Sequence, residues 1–169
     1  MTTRLPAAAA LMIALAPLAA CHPTRTGASS AESHAPGTTM ASVPAACAQY
    51  PQGAPGVVRT FCDGPAVVKL TVGGVQRTLT GGACSTEAGV FALNLGVVAG
   101  PGLAGPKPDY VGLSTPVTSG HFTNAVLSVN IDGKAYALTE NSGDVAPTGG
   151  DFTGKPLEGG DPISATFTC

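Results

Sequence analysis

Ala66-Val67-Val68-Lys69-Leu70-Thr71-Val72-Gly73-Gly74-Val75-Gln76-Arg77-Thr78-Leu79-Thr80 is the stretch that decides the fold. Val68, Leu70 and Val72 recur at every second position, which is the period of a strand. Gly73-Gly74 supplies a two-residue turn whose central positions both need positive φ. Folding the stretch back on that turn sets Val72 opposite Val75, Leu70 opposite Arg77 and Val68 opposite Leu79. One face of the hairpin is then apolar except for Arg77. The other carries Lys69, Thr71, Gln76, Thr78 and Thr80. A lone hairpin is marginal in water, so this ribbon needs further strands to bury its apolar face.

The same pattern extends outward from it. Asp132-Gly133 is a second preferred turn pair. Around it, Leu127, Val129 and Ile131 share a face with Tyr136 and Leu138, while Ser128, Asn130 and Thr139 point away. Phe91, Leu93, Leu95 and Val97 alternate with Ala92, Asn94 and Gly96. At the end of the chain Ile163, Ala165, Phe167 and Cys169 alternate with Ser164, Thr166 and Thr168. No apolar run of 3.6 period follows the N-terminal leader, and 23 glycines with 15 prolines suit many turns. The pattern predicts an all-β, antiparallel domain over 66–169, built as a small sandwich or a partly open barrel.

Upstream the composition changes twice. Residues 47–65 are rich in Pro and Gly, with Tyr50, Pro51, Gly53, Pro55 and Gly56 between Cys47 and Cys62. These turn formers suit a short loop closed by a disulfide. Residues 21–46 are rich in Ser, Thr and Pro without apolar periodicity, and read as a disordered tether. About 25 such residues have a root-mean-square span of about 25–30 Å. Their composition also suits O-linked sugar. His22 and His34 lie in this stretch and are expected to be solvated.

Residues 1–20 read as a signal peptide: Arg4 leads, an apolar run follows from Leu5, and Leu18-Ala19-Ala20-Cys21 closes it. The run is broken by Pro6 and Pro17 and falls short of the about 20 apolar residues a span needs. Cysteine directly after small residues is a lipobox, so Cys21 is the expected site of acylation and the new N-terminus. One acyl chain is a marginal anchor at about 0.8 kcal/mol per buried methylene, and two or three hold firmly. The expected location is the extracytoplasmic face of the cell membrane, with the membrane itself as partner through the lipid on Cys21.

The remaining four of the five cysteines, Cys47, Cys62, Cys84 and Cys169, form an even set in an oxidising compartment and read as two disulfides among three conceivable pairings. No C-x-x-C spacing suggests zinc. Strand parity turns Cys169 inward with Phe167, and Cys84 leads out of the first hairpin, which favours Cys84–Cys169 and leaves Cys47–Cys62.

Candidate chemistry is sparse. Eight basic and ten acidic residues give a formal net charge of −2, and no basic patch invites nucleic acid. His121 has Ser114, Ser119 and Asp109 near it in sequence but no G-x-S-x-G elbow, so it reads as a loop or strand-start histidine. Asp144, Asp151, Glu158 and Asp161 form a Gly-rich acidic stretch opposed by Lys155, without the converging oxygens that calcium needs. Gly81-Gly82 and Gly100–Gly105 lack the following G-K-[ST] of a phosphate loop. No cofactor or metal is expected, and the chain does not read as an enzyme.

Three stretches, Leu79-Thr80-Gly81-Gly82-Ala83-Cys84-Ser85-Thr86, Val129-Asn130-Ile131-Asp132-Gly133-Lys134-Ala135-Tyr136 and Thr166-Phe167-Thr168-Cys169, stand behind a lipobox and a Ser/Thr-rich tether. In that order they resemble the mycobacterial nineteen-kilodalton lipoprotein antigen family over about residues 66–169. The resemblance implies an actinobacterial, lipid-anchored, surface-exposed β-domain with a disulfide like Cys84–Cys169. It also implies immune recognition of the acylated N-terminus, contact with host cells or an envelope partner, and no catalytic residues. The 47–65 segment looks like an addition to the family pattern. The alternative function is a carrier of a small apolar or lipid ligand, with the loop Ala99–Asp109 as its lid.

The lipobox generates a direct test. Cys21→Ser removes the thiol that takes the lipid, so the protein is expected to leave the detergent phase in phase partitioning and to accumulate uncleaved. Retention of the variant in detergent would place the anchor elsewhere.

Overall fold

A computed structural model describes residues 45–169. The leader 1–20, Cys21 and the tether up to residue 44 lie outside the described residues. The elements run as α1 (Ala45–Gln49), β1 (Val57–Phe61), β2 (Ala66–Val72), β3 (Val75–Glu87), β4 (Val90–Ala99), β5 (Tyr110–Thr115), β6 (Gly120–Thr123), β7 (Val126–Ile131), β8 (Lys134–Ala146), β9 (Gly149–Pro156) and β10 (Ile163–Thr168). None of the described helices is long and apolar enough to cross a membrane.

The all-β antiparallel expectation holds, and the sheet closes fully. Strands β2, β3, β4, β5, β7, β8, β9 and β10 each pair with the next in sequence, and β10 pairs back onto β2. The result is an eight-stranded up-and-down barrel, with β1 added beside β4 and β6 beside β8. The first hairpin has the register its alternation dictates: Val72 faces Val75, Leu70 faces Arg77 and Val68 faces Leu79. Gly73 and Gly74 have φ of 54° and 75°, and Asp132 and Gly133 have 53° and 78°, the left-handed pairs of type I′ turns.

The barrel is flattened into two layers because two strands switch between them. Residues 75–82 of β3 pair with β2 in one layer, and residues 83–87 pair with β4 in the other. The switch falls at Gly81, where φ is +95°, beside a register shift between Ala66 and Val67. In β8, residues 134–137 pair with β7, and residues 138–146 with β9. There the switch falls at Glu140, with φ of +46°, inside a bulge between Thr139 and Ser142.

Side chains fill the interior. Phe91, Phe122, Phe152, Leu70, Leu93, Leu95 and Leu113 are fully buried. Across one layer the inward row reads Phe122, Gly143, Phe152, Ala165, Leu70, so large and small residues alternate. The next row sets Gly150 beside Phe167, and a Cβ on Gly150 would stand 2.9 Å from the Phe167 ring. Eight strands enclose a space of about side-chain width, and here side chains take it.

Cys84 bonds to Cys169, the pair that parity favours, and Cys47 bonds to Cys62. Ala66 opens β2 opposite Gly82, and Val67 faces Thr168. Beyond Ala66 no strand separates β3 from the end of β10, so Cys84 and Cys169 meet with their Cα atoms 5.6 Å apart. Both pack against the core. The 47–65 segment is more than a closed loop. It contributes α1 and the sheet strand β1, and Cys47 is buried.

The two bridges differ in the chain they constrain: sequence separations of 85 and 15. Cys169→Ala is expected to destabilise the domain by about 2–5 kcal/mol, and Cys62→Ala by less, since loop-closure entropy grows with loop length. Denaturant melts under oxidising conditions check the order, and equal losses would mean that the β1 segment supports the barrel as strongly as the closing seam does.

Candidate functional site

In an up-and-down barrel the connections alternate between two ends. One end carries the Gly73-Gly74 and Asp132-Gly133 turns, the loop from Gly100 to Asp109, and the connection from Leu157 to Pro162. Charged and hydrogen-bonding side chains gather at this mouth. Arg77, the one polar residue on the apolar face of the first hairpin, reaches out of the barrel, and its Nη2 lies 2.9 Å from Asp132 Oδ2. Asp109 Oδ1 accepts the backbone N–H of Asp132 at 2.9 Å. Lys134 Nζ lies 3.7 Å from Glu158 and 4.8 Å from the centre of the Tyr136 ring. These pairs are exposed, and each is worth no more than about 1 kcal/mol.

Helix α1 sits against this end. Its position follows from the Cys47–Cys62 bond, because Cys62 directly follows β1 and its carbonyl lies against Gly81 at the β3 corner. The Gly64 N–H donates to the Gly81 carbonyl at 2.8 Å. Tyr50 donates its hydroxyl to the Pro106 carbonyl at 3.2 Å, and Gly100 N–H donates to Gly56 O at 2.8 Å. The long loop Ala99–Asp109 is thus held at several points along its length. Two clefts flank the helix. One, of about 270 Å³, lies between Thr78, Leu79 and Thr80 of β3 and Leu95 and Gly96 of β4, with Ala46 and Asp109 at its rim. The other, of about 350 Å³, is bounded by Gln49, Tyr50, Lys107, Pro108 and Gly133 and shares Ala46 and Asp109 with the first.

A second cluster lies on the outer face of the barrel. Phe61 pairs with Gly96, which leaves room for Tyr110 beside it at a ring separation of 6.5 Å. Arg59 lies over Phe61 at 5.0 Å. The Tyr110 ring covers Gly112 and donates its hydroxyl to Asn94 Oδ1 at 2.7 Å. Burial pushes the Tyr110 phenol above its ordinary pKa, because the phenolate loses solvation there.

The residues weighed for chemistry are dispersed. His121 stands on β6, with its Nδ1 3.6 Å from Asp144, and both side chains are exposed. Asp109 is at the mouth and Ser114 on β5, so neither joins the histidine. Asp144 and Asp151 face each other across β8 and β9. Lys155 does not neutralise the acidic stretch as its position in sequence suggests. It pairs with Glu140 across the β8 corner and holds that carboxyl below the usual range. Among the described residues, no three His, Cys, Asp or Glu side chains group to hold a metal. No family model, curated protein or solved structure matches the chain.

Tyr110 gives the measurable consequence. A phenol whose pKa is raised in the fold contributes stability that is complete below the unfolded value of about 10 and is lost as pH rises through the folded value. Tyr110→Phe is expected to cost about 0.5–1.5 kcal/mol near neutrality through the lost bond to Asn94. It should also flatten the alkaline limb of the stability–pH curve. An unchanged alkaline limb would remove Tyr110 as its source.

Proposed function

We propose that the chain is a lipid-anchored lipoprotein of an actinobacterial cell envelope, held at the extracytoplasmic face by acyl chains on Cys21. Its barrel acts as an antigen or contact module and performs no chemistry. The observation that carries this reading is Leu18-Ala19-Ala20-Cys21 behind a short apolar leader. Two disulfides support an oxidising compartment. The packing of Phe91, Phe152 and Leu93 in the interior supports a solid scaffold over a ligand-filled lumen. Similarity to the mycobacterial nineteen-kilodalton lipoprotein antigen family is part of the same proposal, and with it recognition of the acylated N-terminus by a host receptor. A second reading, a carrier of a small apolar ligand, draws on the cleft between Leu79 and Leu95.

The test compares the lipidated protein with the unlipidated Cys21→Ser chain on receptor-bearing cells. A response to the lipidated form alone is expected. Equal responses would move recognition onto the barrel. Extraction of the purified Cys21→Ser chain followed by mass spectrometry addresses the second reading, and a stoichiometric lipid would favour it.

A further inference from the structure

Where a strand crosses between layers, one of its edges is left behind. β3 is joined to β2 along residues 75–82, and to β4 only from Ala83 to Glu87. In a two-residue hairpin the residues flanking the turn exchange both main-chain hydrogen bonds, and this repeats at every second position. Val75, Arg77 and Leu79 therefore direct their N–H and C=O groups to β2. Gln76, Thr78 and Thr80 direct theirs the other way, into the cleft between β3 and β4. Among the described residues no backbone group bonds to Gln76, Thr78 or Thr80 on that side.

The other added strands are guarded. The outer edge of β1 is capped by a side chain, since Gln52 Oε1 accepts the Thr60 N–H at 2.9 Å and Gln52 Nε2 donates to the Val58 carbonyl at 3.4 Å. β6 is only four residues long. The β3 edge has neither protection. It is also unlike an ordinary exposed edge, because it borders a cleft. Leu79, Leu95, Gly96 and Ala46 line it beside Thr78 and Thr80, so the lining next to the open edge is mainly apolar. At the rim Asp109 is bonded to a backbone N–H, and among the described residues no cation pairs with it.

We propose that this cleft is a peptide-binding site in which an extended segment of a partner protein adds as a strand to β3 along Gln76–Thr80, with apolar side chains on Leu79 and Leu95 and a lysine or arginine at Asp109. Main-chain pairing supplies the affinity, and the alternation of side chains supplies the selection. The proposal rests on reading the barrel as a contact module. It does not depend on the lipid.

The test uses the unlipidated chain from residue 21 to 169 carrying Cys21→Ser, with a capped peptide Val-Thr-Val-Lys-Val-Thr-Val as probe. Saturable shifts and slowed hydrogen exchange are expected at the Thr78 and Thr80 amides. N-methylation of alternate peptide amides that removes two hydrogen bonds should weaken binding about tenfold. Replacing the lysine by glutamate should weaken it several-fold, and Asp109→Asn, which keeps the acceptor for Asp132, should erase that difference. Thr78→Pro removes one edge N–H without touching the β2 ladder, so it should keep the melting temperature and lose binding. The N-methylated peptide keeps the proposal open to refutation if that variant fails to fold. Equal affinity for the N-methylated and parent peptides would overturn main-chain pairing. Absence of saturable shifts at these amides would overturn the site. Protection already present in the free chain would assign the edge to the chain's own N-terminal segment, or to a second copy if it grows with concentration, and either result overturns a partner peptide. Because the tested chain carries no lipid, failure here leaves the role of Cys21 standing.

Discussion

The pairing of β10 with β2 is the constraint on which the rest of the structure depends. Ser164 to Thr168 lie against Val67 to Thr71, so the last strand of the chain completes the ladder of the first barrel strand. Without it the meander would be an open sheet with two long edges, each a template for aggregation. Closing it brings together segments about a hundred residues apart, but loop-closure entropy rises only logarithmically with length. Cys84–Cys169 spans the same seam just beyond the start of β2, and removes that entropy from the unfolded chain. Closure also fixes the inward side of each barrel strand, because a slip of one residue would turn Phe167 and Ile163 out to solvent.

Much of this was legible in the sequence. The two-residue turns set the registers of both hairpins, and parity placed Cys169 inward. The strand β9 stayed hidden because of how interior volume is divided. In β9, Gly150, Phe152 and Gly154 occupy the inward positions, so the strand shows one apolar residue where alternation looks for three. A Cβ on Gly150 would meet the Asp144 carbonyl first and then the Phe167 ring at 2.9 Å, and one on Gly154 would meet the Asn141 and Leu138 side chains at 3.2 and 3.3 Å. Interior volume is shared between neighbouring strands, and a strand that gives up its volume to its neighbours reads as loop. Closure was illegible for a different reason: β2 and β10 each look like ordinary alternating strands, and nothing local says that they meet.

The mouth was partly legible. Arg77 stood out as the one charge on an apolar face, a local inconsistency of the kind that marks a contact made elsewhere. Its partner, Asp132, is separated from it by 55 residues and appears in the sequence only as turn chemistry. Lys155 and Glu140 show the same limit. The pairing of β8 with β9 sets them side by side, whereas along the chain Lys155 stands among Asp151, Glu158 and Asp161. The strand β1 was hidden because Val57 to Phe61 follows a run of Pro and Gly, and it makes a strand only by borrowing the edge of β4 that β3 vacates.

That vacated edge connects the fold to its surface. Both long strands change layers, and both changes use a residue with positive φ, Gly81 in β3 and Glu140 in β8. The two corners are finished differently. At β8 the gap is sewn shut: β6 pairs with Ser142 to Val145, Asn124 N–H donates to the Asn141 carbonyl at 2.8 Å, and buried Asn141 Nδ2 donates to the Ala125 carbonyl at 3.0 Å. At β3 no strand fills the equivalent place. A five-residue helix fastened by a disulfide stands beside it, and the main-chain groups of Gln76, Thr78 and Thr80 face a cleft. Both corners leave a strand edge without a neighbour, and an edge left so is a template for pairing with another chain. Closing one with backbone, and setting only a tethered helix beside the other, makes the two corners of an otherwise repetitive meander chemically distinct. Beside the β3 corner, main chain without a strand partner, the apolar side chains of Leu79 and Leu95, and the Asp109 carboxylate line one cleft.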